Sequence, residues 1–163
     1  MNLEAARNLG FTDIAIRASI GTRTDSTLRR FHAEAGRLGL ARRSFHFLLP
    51  RPWKQAKAWA NAVRDLEWEE GHYLDMERPS LTNEKMRLSL QAADDLLGEK
   101  VGVYINYRMA RKLPDAASWL AGRRLWLAAW QENPWPWASA PAPWRAADWV
   151  QWRKASVGGA ITW

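Results

Sequence analysis

Asp75 and Glu77 stand two residues apart in the segment HYLDMERP, which reads as a short strand carrying a carboxylate pair suited to acid–base work. On a strand, residues i and i+2 project from the same face with their Cα atoms about 6.5 Å apart, at a rise of about 3.3 Å per residue. Repulsion between two such carboxylates raises one pKa, which leaves a protonated acid beside an anion. Glycoside hydrolysis needs that pairing, because an acid donates to the leaving oxygen while an anionic group stabilises a cationic centre.

Other residues could line a site built around that pair. His46 lies between two aromatics in FHF, where it serves either as a core histidine bonded to backbone or as a site-lining group. Tyr104 and Asn106, two apart in VGVYINY, share a predicted strand face, and their polar tips suit sugar hydroxyls or an acetamido group as well as structural hydrogen bonds. Trp126 and Trp130 share a face of the strand in RLWLAAW, and Trp135, Trp137 and Trp144 follow in a Pro-rich loop. Flat indoles can stack on the apolar faces of pyranose rings; core packing and loop anchoring are the alternatives.

Several chemistries are excluded or unsupported. With no cysteine there is no thiolate nucleophile, disulfide or thiolate metal site. His32, His46 and His72 lack ligand spacing, so neither a metal nor a cofactor is expected. Gly158 and Gly159 lack the flanking pattern of a phosphate loop, and no serine sits in a nucleophile elbow.

The elements that must position these residues alternate in type. A short helix over Leu3 to Leu9 precedes a strand at Phe11 to Ser19. A helix capped by Asp25 or Ser26 runs to Leu38, with Leu28, Phe31, Ala35 and Leu38 on one face, and a strand follows at Arg42 to Leu49. Pro52 opens a helix to about Trp68 that carries Ala56, Trp59, Ala60 and Val63 at helical spacing, and Gly71 separates it from the strand HYLDM. Thr82 starts a helix that Gly98 ends, VGVYINY is the next strand, and a short helix near Asp115 to Ala121 leads to RLWLAAW. DWVQW is the last strand expected. Strands alternating with helices imply βαβ units and a parallel sheet, closed as a barrel or open and doubly wound.

At 163 residues the chain fits a single domain, 1–163, and its 47% hydrophobic content is that of a folded protein. No apolar run approaches the 18 or so residues of a membrane span, and the start of the chain lacks a secretory signal, so we expect cytoplasmic synthesis without a signal peptide and no membrane insertion. The net charge of +7 favours polyanions such as an anionic bacterial wall, but pairs such as Arg42 and Arg43 or Arg123 and Arg124 are dispersed. They are expected to be solvated surface, and nucleic acid is not expected as a partner.

Taken in order, IAIRAS, SFHFLLP, YLDMERP, VGVYINY, LWLAAW and VQW resemble the successive strand motifs of glycoside hydrolase family 25, the muramidases of bacteria and their phages, over nearly the whole chain. The resemblance implies a shortened, TIM-like (β/α) barrel with its site at the C-terminal ends of the strands. It implies a lysozyme that cleaves peptidoglycan between N-acetylmuramic acid and N-acetylglucosamine, acting at the bacterial wall and phage-encoded. Glu77 is then the general acid, and Asp75 orients the substrate's own N-acetyl group. It places His46 in the site, and it sets Gln151 where the family usually has Trp-Gln, with Val150 in place of that Trp.

The departures concern the ends. The family's opening strand with an Asp-x-Ser motif and its closing strand with an Asp-x-Asn motif have no counterparts here, so two site-lining acids are missing. A barrel without them leaves unpaired edges, which predicts self-association or a partner chain there. The alternative function is a catalytically impaired glycan-binding or assembly module on the same barrel.

Overall fold

Segments rich in Ile, Val, Phe and Tyr do form strands, and the helices among the described residues return the chain so that the longer strands run parallel to one another. The computed structural model describes residues 2–50, 52–110, 112–113, 118–128, 149–153, 155–157 and 160–162. In it β1 (Asp13–Ile20), β3 (Ala41–Phe47), β4 (His72–Asp75), β5 (Gly102–Asn106), β6 (Leu125–Ala128) and β7 (Trp149–Arg153) pair successively and in parallel. A short β2 (Arg23–Thr24) folds back antiparallel on the end of β1. Among the described residues β1 and β7 do not pair with each other, so the curved sheet is an incomplete barrel.

Among the described residues five helices accompany the strands: α1 (Leu3–Asn8), α2 (Leu28–Arg37), α3 (Pro52–Val63), α4 (Asn83–Leu97) and α5 (Tyr107–Ala110). The ends of α4 follow directly from its sequence. Thr82 Oγ1 accepts the Lys85 N–H at 3.3 Å, and Gly98 takes the left-handed φ of 72° that closes the helix without a Cβ clash. Asp25 caps differently from the expectation: Oδ1 accepts from the Thr27 N–H and hydroxyl, which fixes the turn before α2 rather than its first turn. Helix α3 stops at Val63, short of Trp68, whose indole instead packs edge-on against His32 at 4.8 Å. The antiparallel pair β8 (Ala155–Val157) and β9 (Ala160–Thr162) was not expected, although a Gly-Gly pair between short apolar runs is a hairpin signal. A 3-10 turn at Ser118–Leu120 stands within the short helix expected near 115–121.

Alternation along the strands sorts their side chains onto two faces. Ile16, Ala18, Leu48, Leu74, Met76, Val103, Ile105, Leu125 and Leu127 pack against Leu28, Trp59, Val63, Met86, Leu90 and Ala93 of the helices. The other face carries Tyr73, Tyr104, Trp126 and Ala128, flanked by Ala15 and Phe45. The β1–β3 ladder slips by a residue between Arg17 and Ser19, after which Ser19 lies opposite His46 and Ile20 opposite Phe47.

The paired arginines are not simple solvated surface. Arg43 is 3% exposed and Arg123 7% exposed, and each meets a carboxylate: Arg43 with Asp13 at 2.8 Å, Arg123 with Asp94 at 2.6 Å. Arg42 is bound by Glu69, and Arg124 lies 3.6 Å from Glu99. These pairs cluster at the N-terminal ends of the strands, the end of such a barrel that serves stability rather than chemistry.

Candidate active site

Asp75 is the last residue of β4, and its strand neighbours define what surrounds it. Phe47 lies opposite it on β3 and Tyr104 on β5; Tyr104 in turn pairs with Trp126, and Trp126 with Gln151 on β7. With Ile20 opposite Phe47, one register row therefore runs Ile20, Phe47, Asp75, Tyr104, Trp126, Gln151 near the C-terminal ends of successive strands. The row above brings Asn106 opposite Ala128. Sequence reasoning missed Phe47, Ile20 and Tyr73; the period of two that links Phe45 to Phe47 and Tyr73 to Asp75 is the signal that would have found them.

Glu77 lies beyond the end of β4. Met76 stands between the two carboxylates, fully buried in the helix-side core, and its N–H donates to the Tyr104 carbonyl at 2.9 Å. The ladder thus holds one residue past the strand. The Glu77 N–H then folds back onto Asp75 Oδ1 at 3.1 Å, an Asx-type turn of the kind a carboxylate forms with the backbone two residues on. Asp75 is 5% exposed, whereas Glu77 is half-buried, so the two acids differ in their access to a ligand.

The aromatic floor is packed edge to face. Tyr104 and Trp126 meet at 4.4 Å between ring centroids, and Tyr73 meets Trp126 at 5.9 Å, both T-shaped. Trp126 is 2% exposed and Tyr104 3% exposed. Such burial makes Trp126 a supporting floor, not the open stacking surface expected of it, because an indole must show a face to hold a sugar ring. Asn106 is half-buried, and its Oδ1 accepts the Met109 N–H at 2.8 Å; it caps α5, which leaves the amide NH2 as its remaining polar group. Gln151 is placed only by its register opposite Trp126. Trp130, Trp135, Trp137 and Trp144 lie outside the described residues.

His46 is on the opposite side of the sheet. Phe45 and Phe47 alternate with it along β3 and take the face that carries Asp75, which turns the imidazole toward α3. There it stacks on Trp59 at 5.2 Å between centroids, with Nδ1 2.8 Å from Ser19 Oγ. It is 1% exposed, and burial pushes its pKa down to about 4 despite opposing contributions from Gln55 and the Ser19 backbone. Trp59 Nε1 also donates to Ser44 Oγ at 3.3 Å, and that hydroxyl lies 2.6 Å from His72 Nδ1. His46 therefore belongs to a buried polar seam between sheet and helix, and lining the site is corrected to supporting the strand next to it. Among the described residues no group of three or more acidic or histidine side chains is arranged to hold a metal.

Comparison with solved structures returns the same fold. The chain superposes on a family GH25 lysozyme from Aspergillus fumigatus with a TM-score of 0.77 at 22% identity, covering 94% of this chain and 81% of that one. A muramidase from Acremonium alcalophilum gives 0.73 at 18% identity, covering 94% and 81%, and a bacterial lysozyme from Streptomyces coelicolor gives 0.71 at 18% identity, covering 99% and 82%. No curated protein sequence matches the chain. The sequence profile described as glycosyl hydrolases family 25 matches residues 1–159, and the chain therefore belongs to that family of glycoside hydrolases.

Proposed function

We propose that this protein is a muramidase that cleaves the β-1,4 bond between N-acetylmuramic acid and N-acetylglucosamine in peptidoglycan, with Glu77 as general acid and Asp75 orienting the substrate's N-acetyl group. The observation that carries this reading is the unequal access of two adjacent carboxylates at a strand end. The half-buried Glu77 can reach the glycosidic oxygen, while the nearly enclosed Asp75, tied to the Glu77 N–H, is held in one orientation. A general acid must come within hydrogen-bond reach of the oxygen it protonates, and an orienting carboxylate must not wander; the two environments suit those two roles. Family membership and the lysozymes and muramidase among its structural neighbours support the substrate class.

Tyr104, Asn106 and Gln151 are the groups we assign to substrate beside the acids, on the adjoining strands of the same rows. Tyr104 backs Asp75 across the ladder, and the Asn106 amide can donate to a sugar oxygen or an acetamido carbonyl. The site of action is the bacterial wall, and no described helix is long and apolar enough to cross a membrane. Among the described residues only the two-residue β2 lies outside β1 and no strand lies outside β7, and such edges favour association with a second chain.

Mass spectrometry of fragments released from purified peptidoglycan tests the reaction. The expected products end in a reducing N-acetylmuramic acid. Wall binding without new reducing ends would replace the hydrolase by a glycan-binding module, and reducing N-acetylglucosamine would replace the bond specificity.

A further inference from the structure

Beside the row that holds Asp75, the structure has a second feature at the C-terminal ends of the strands. A groove of about 550 Å³ opens between the turn after β1 and the start of α3, lined by Gly21, Thr22, Leu49, Pro50, Lys54 and Gln55. Its walls are interlocked. Gly21 has a φ of 55°, its N–H donates to the Phe47 carbonyl at 3.2 Å, and a Cβ there would stand 2.8 Å from Leu49 Cδ1. Gln55 is 1% exposed and spends both ends of its amide on Leu49: Oε1 accepts the Leu49 N–H at 2.8 Å, and Nε2 donates to the Leu49 carbonyl at 2.6 Å. The groove is thus a preformed shape rather than a gap between mobile loops.

Its position is fixed relative to the candidate acids. Phe47 sits directly opposite Asp75, and the Leu48 N–H donates to the Asp75 carbonyl at 3.1 Å. Leu49 follows one residue later. With strands about 4.8 Å apart and about 3.3 Å per residue, the groove begins on the order of 10 Å from Asp75. One sugar ring and one or two extended residues span that distance.

The lining chemistry selects the occupant. Leu49 and Pro50 are apolar, none of the six lining residues is acidic, and the amide that would bind sugar hydroxyls, Gln55, is already committed to backbone. Lys54 is exposed and makes no ion pair among the described residues; Arg23, one residue beyond Thr22, is likewise exposed and without one. An apolar trough rimmed by free cations suits a short peptide with methyl side chains and carboxylates better than it suits a glycan. We propose that this groove binds the acidic peptide stem carried by the muramic acid of the wall glycan, an inference that rests on the muramidase reading of the site. The enzyme would then distinguish glycan that still bears its peptides from glycan stripped of them.

Two measurements on the full chain test this. In the first, the N-acetylated tetrapeptide N-acetyl-L-Ala-γ-D-Glu-L-Lys-D-Ala, whose blocked N-terminus mimics its amide link to muramic acid and leaves a net negative charge, is titrated while the Gly21 and Thr22 amide resonances are followed, for the parent and for Lys54→Glu. Those resonances are expected to shift in the parent, and charge reversal is expected to weaken binding about tenfold, with Lys54→Met intermediate. In the second, KM is compared for peptide-bearing and amidase-stripped glycan strands of matched length. The parent is expected to favour the peptide-bearing strands about three- to tenfold, and Lys54→Glu to shrink that preference. No shift at Gly21 and Thr22, or equal tetrapeptide affinity in parent and variant, overturns the groove assignment. Cleavage with equal KM on both strands overturns it too while leaving the muramidase standing; tetrapeptide binding with cleavage of neither strand upholds the groove and sinks the muramidase.

Discussion

The Glu77 N–H is bonded to Asp75 Oδ1 at 3.1 Å, so the segment that joins the two acids is pinned by the first of them. An asparagine at position 75 retains an oxygen able to accept that bond, which makes Asp75→Asn a test of charge more than of shape. Asp75→Asn and Glu77→Gln are each expected to slow the clearing of purified walls by about 10²-fold or more, with the melting temperature close to the parent's. Clearing at the parental rate by both variants would remove the pair from the reaction.

The seam around His46 sets an acid limit on stability. Burial holds this imidazole at about 4, below its ordinary 6.5, so the unfolded chain takes up the proton first as pH falls. Stability from this group is full above about pH 6.5, declines through the interval down to about pH 4, and is flat below it. A shift of that size corresponds to about 3 kcal/mol. His72 adds to the same trend, since burial lowers its pKa as well. Urea unfolding between pH 5 and 7.5 should show stability rising with pH, and His46→Gln should flatten the slope; an unchanged slope in the variant would assign the trend elsewhere.

How much of this was legible in the sequence depends on the range of the interaction that decided each feature. Helix α4 was readable from Thr82, Gly98 and the apolar spacing between, because capping is local. The order of strands and the Asp75–Glu77 pair followed from period-two patterns and motif order. What period two cannot say is which face looks inward, and His46 shows the cost: FHF has the same alternation whether the histidine or the phenylalanines face the site. Trp59, thirteen residues away on α3, decides the matter by stacking on the imidazole. Likewise nothing local told Arg43 and Arg123 from surface arginines, since Asp13 and Asp94 lie about thirty residues off in the chain. Trp126 resembled a sugar platform because its burial beneath Tyr104 and Tyr73 is a property of three strands together.

Gly102 is required by contact rather than by backbone angle. A Cβ there would lie 2.6 Å from Tyr73 Cε1 and 2.7 Å from Cδ1, so Gly102→Ala must displace a ring that is fully buried. Overpacking of this kind should cost about 1–3 kcal/mol, and because Tyr73 stands two residues before Asp75 on the same face of β4, activity should fall with stability. Combining it with Tyr73→Leu, which empties the space, should recover part of the loss; strictly additive unfolding energies for the pair would show the clash is relieved some other way.

The Tyr73 hydroxyl is buried with no hydrogen-bond partner among the described residues, and burial raises its pKa, with the Arg124 and Arg43 guanidiniums over the ring opposing the rise. Removing an unsatisfied polar atom of this sort relieves a desolvation penalty. Tyr73→Phe is therefore expected to leave stability unchanged or raise it by up to about 1 kcal/mol in urea unfolding. A loss of more than about 1 kcal/mol would mean that the hydroxyl has a partner.

Arg123 ties together three elements beneath the sheet. Its guanidinium donates to both Asp94 oxygens at 2.9 and 2.6 Å, to the Val101 carbonyl at 2.9 Å and to the Trp119 carbonyl at 2.9 Å, joining α4 to β5 and to the turn before β6. Because Arg123 is buried, its removal strands Asp94 and two carbonyls, and Arg123→Met is expected to cost about 3–5 kcal/mol. Asp94→Leu alone strands the guanidinium instead and should cost a similar amount. The double variant should cost less than the sum, since neither charge is then left unpaired, yet it should not return to the parent. Asp94 Oδ1 also accepts the Val101 N–H at 2.9 Å, and no leucine replaces that bond. A double variant as stable as the parent would show that the network serves neither strand placement nor the N–H it covers.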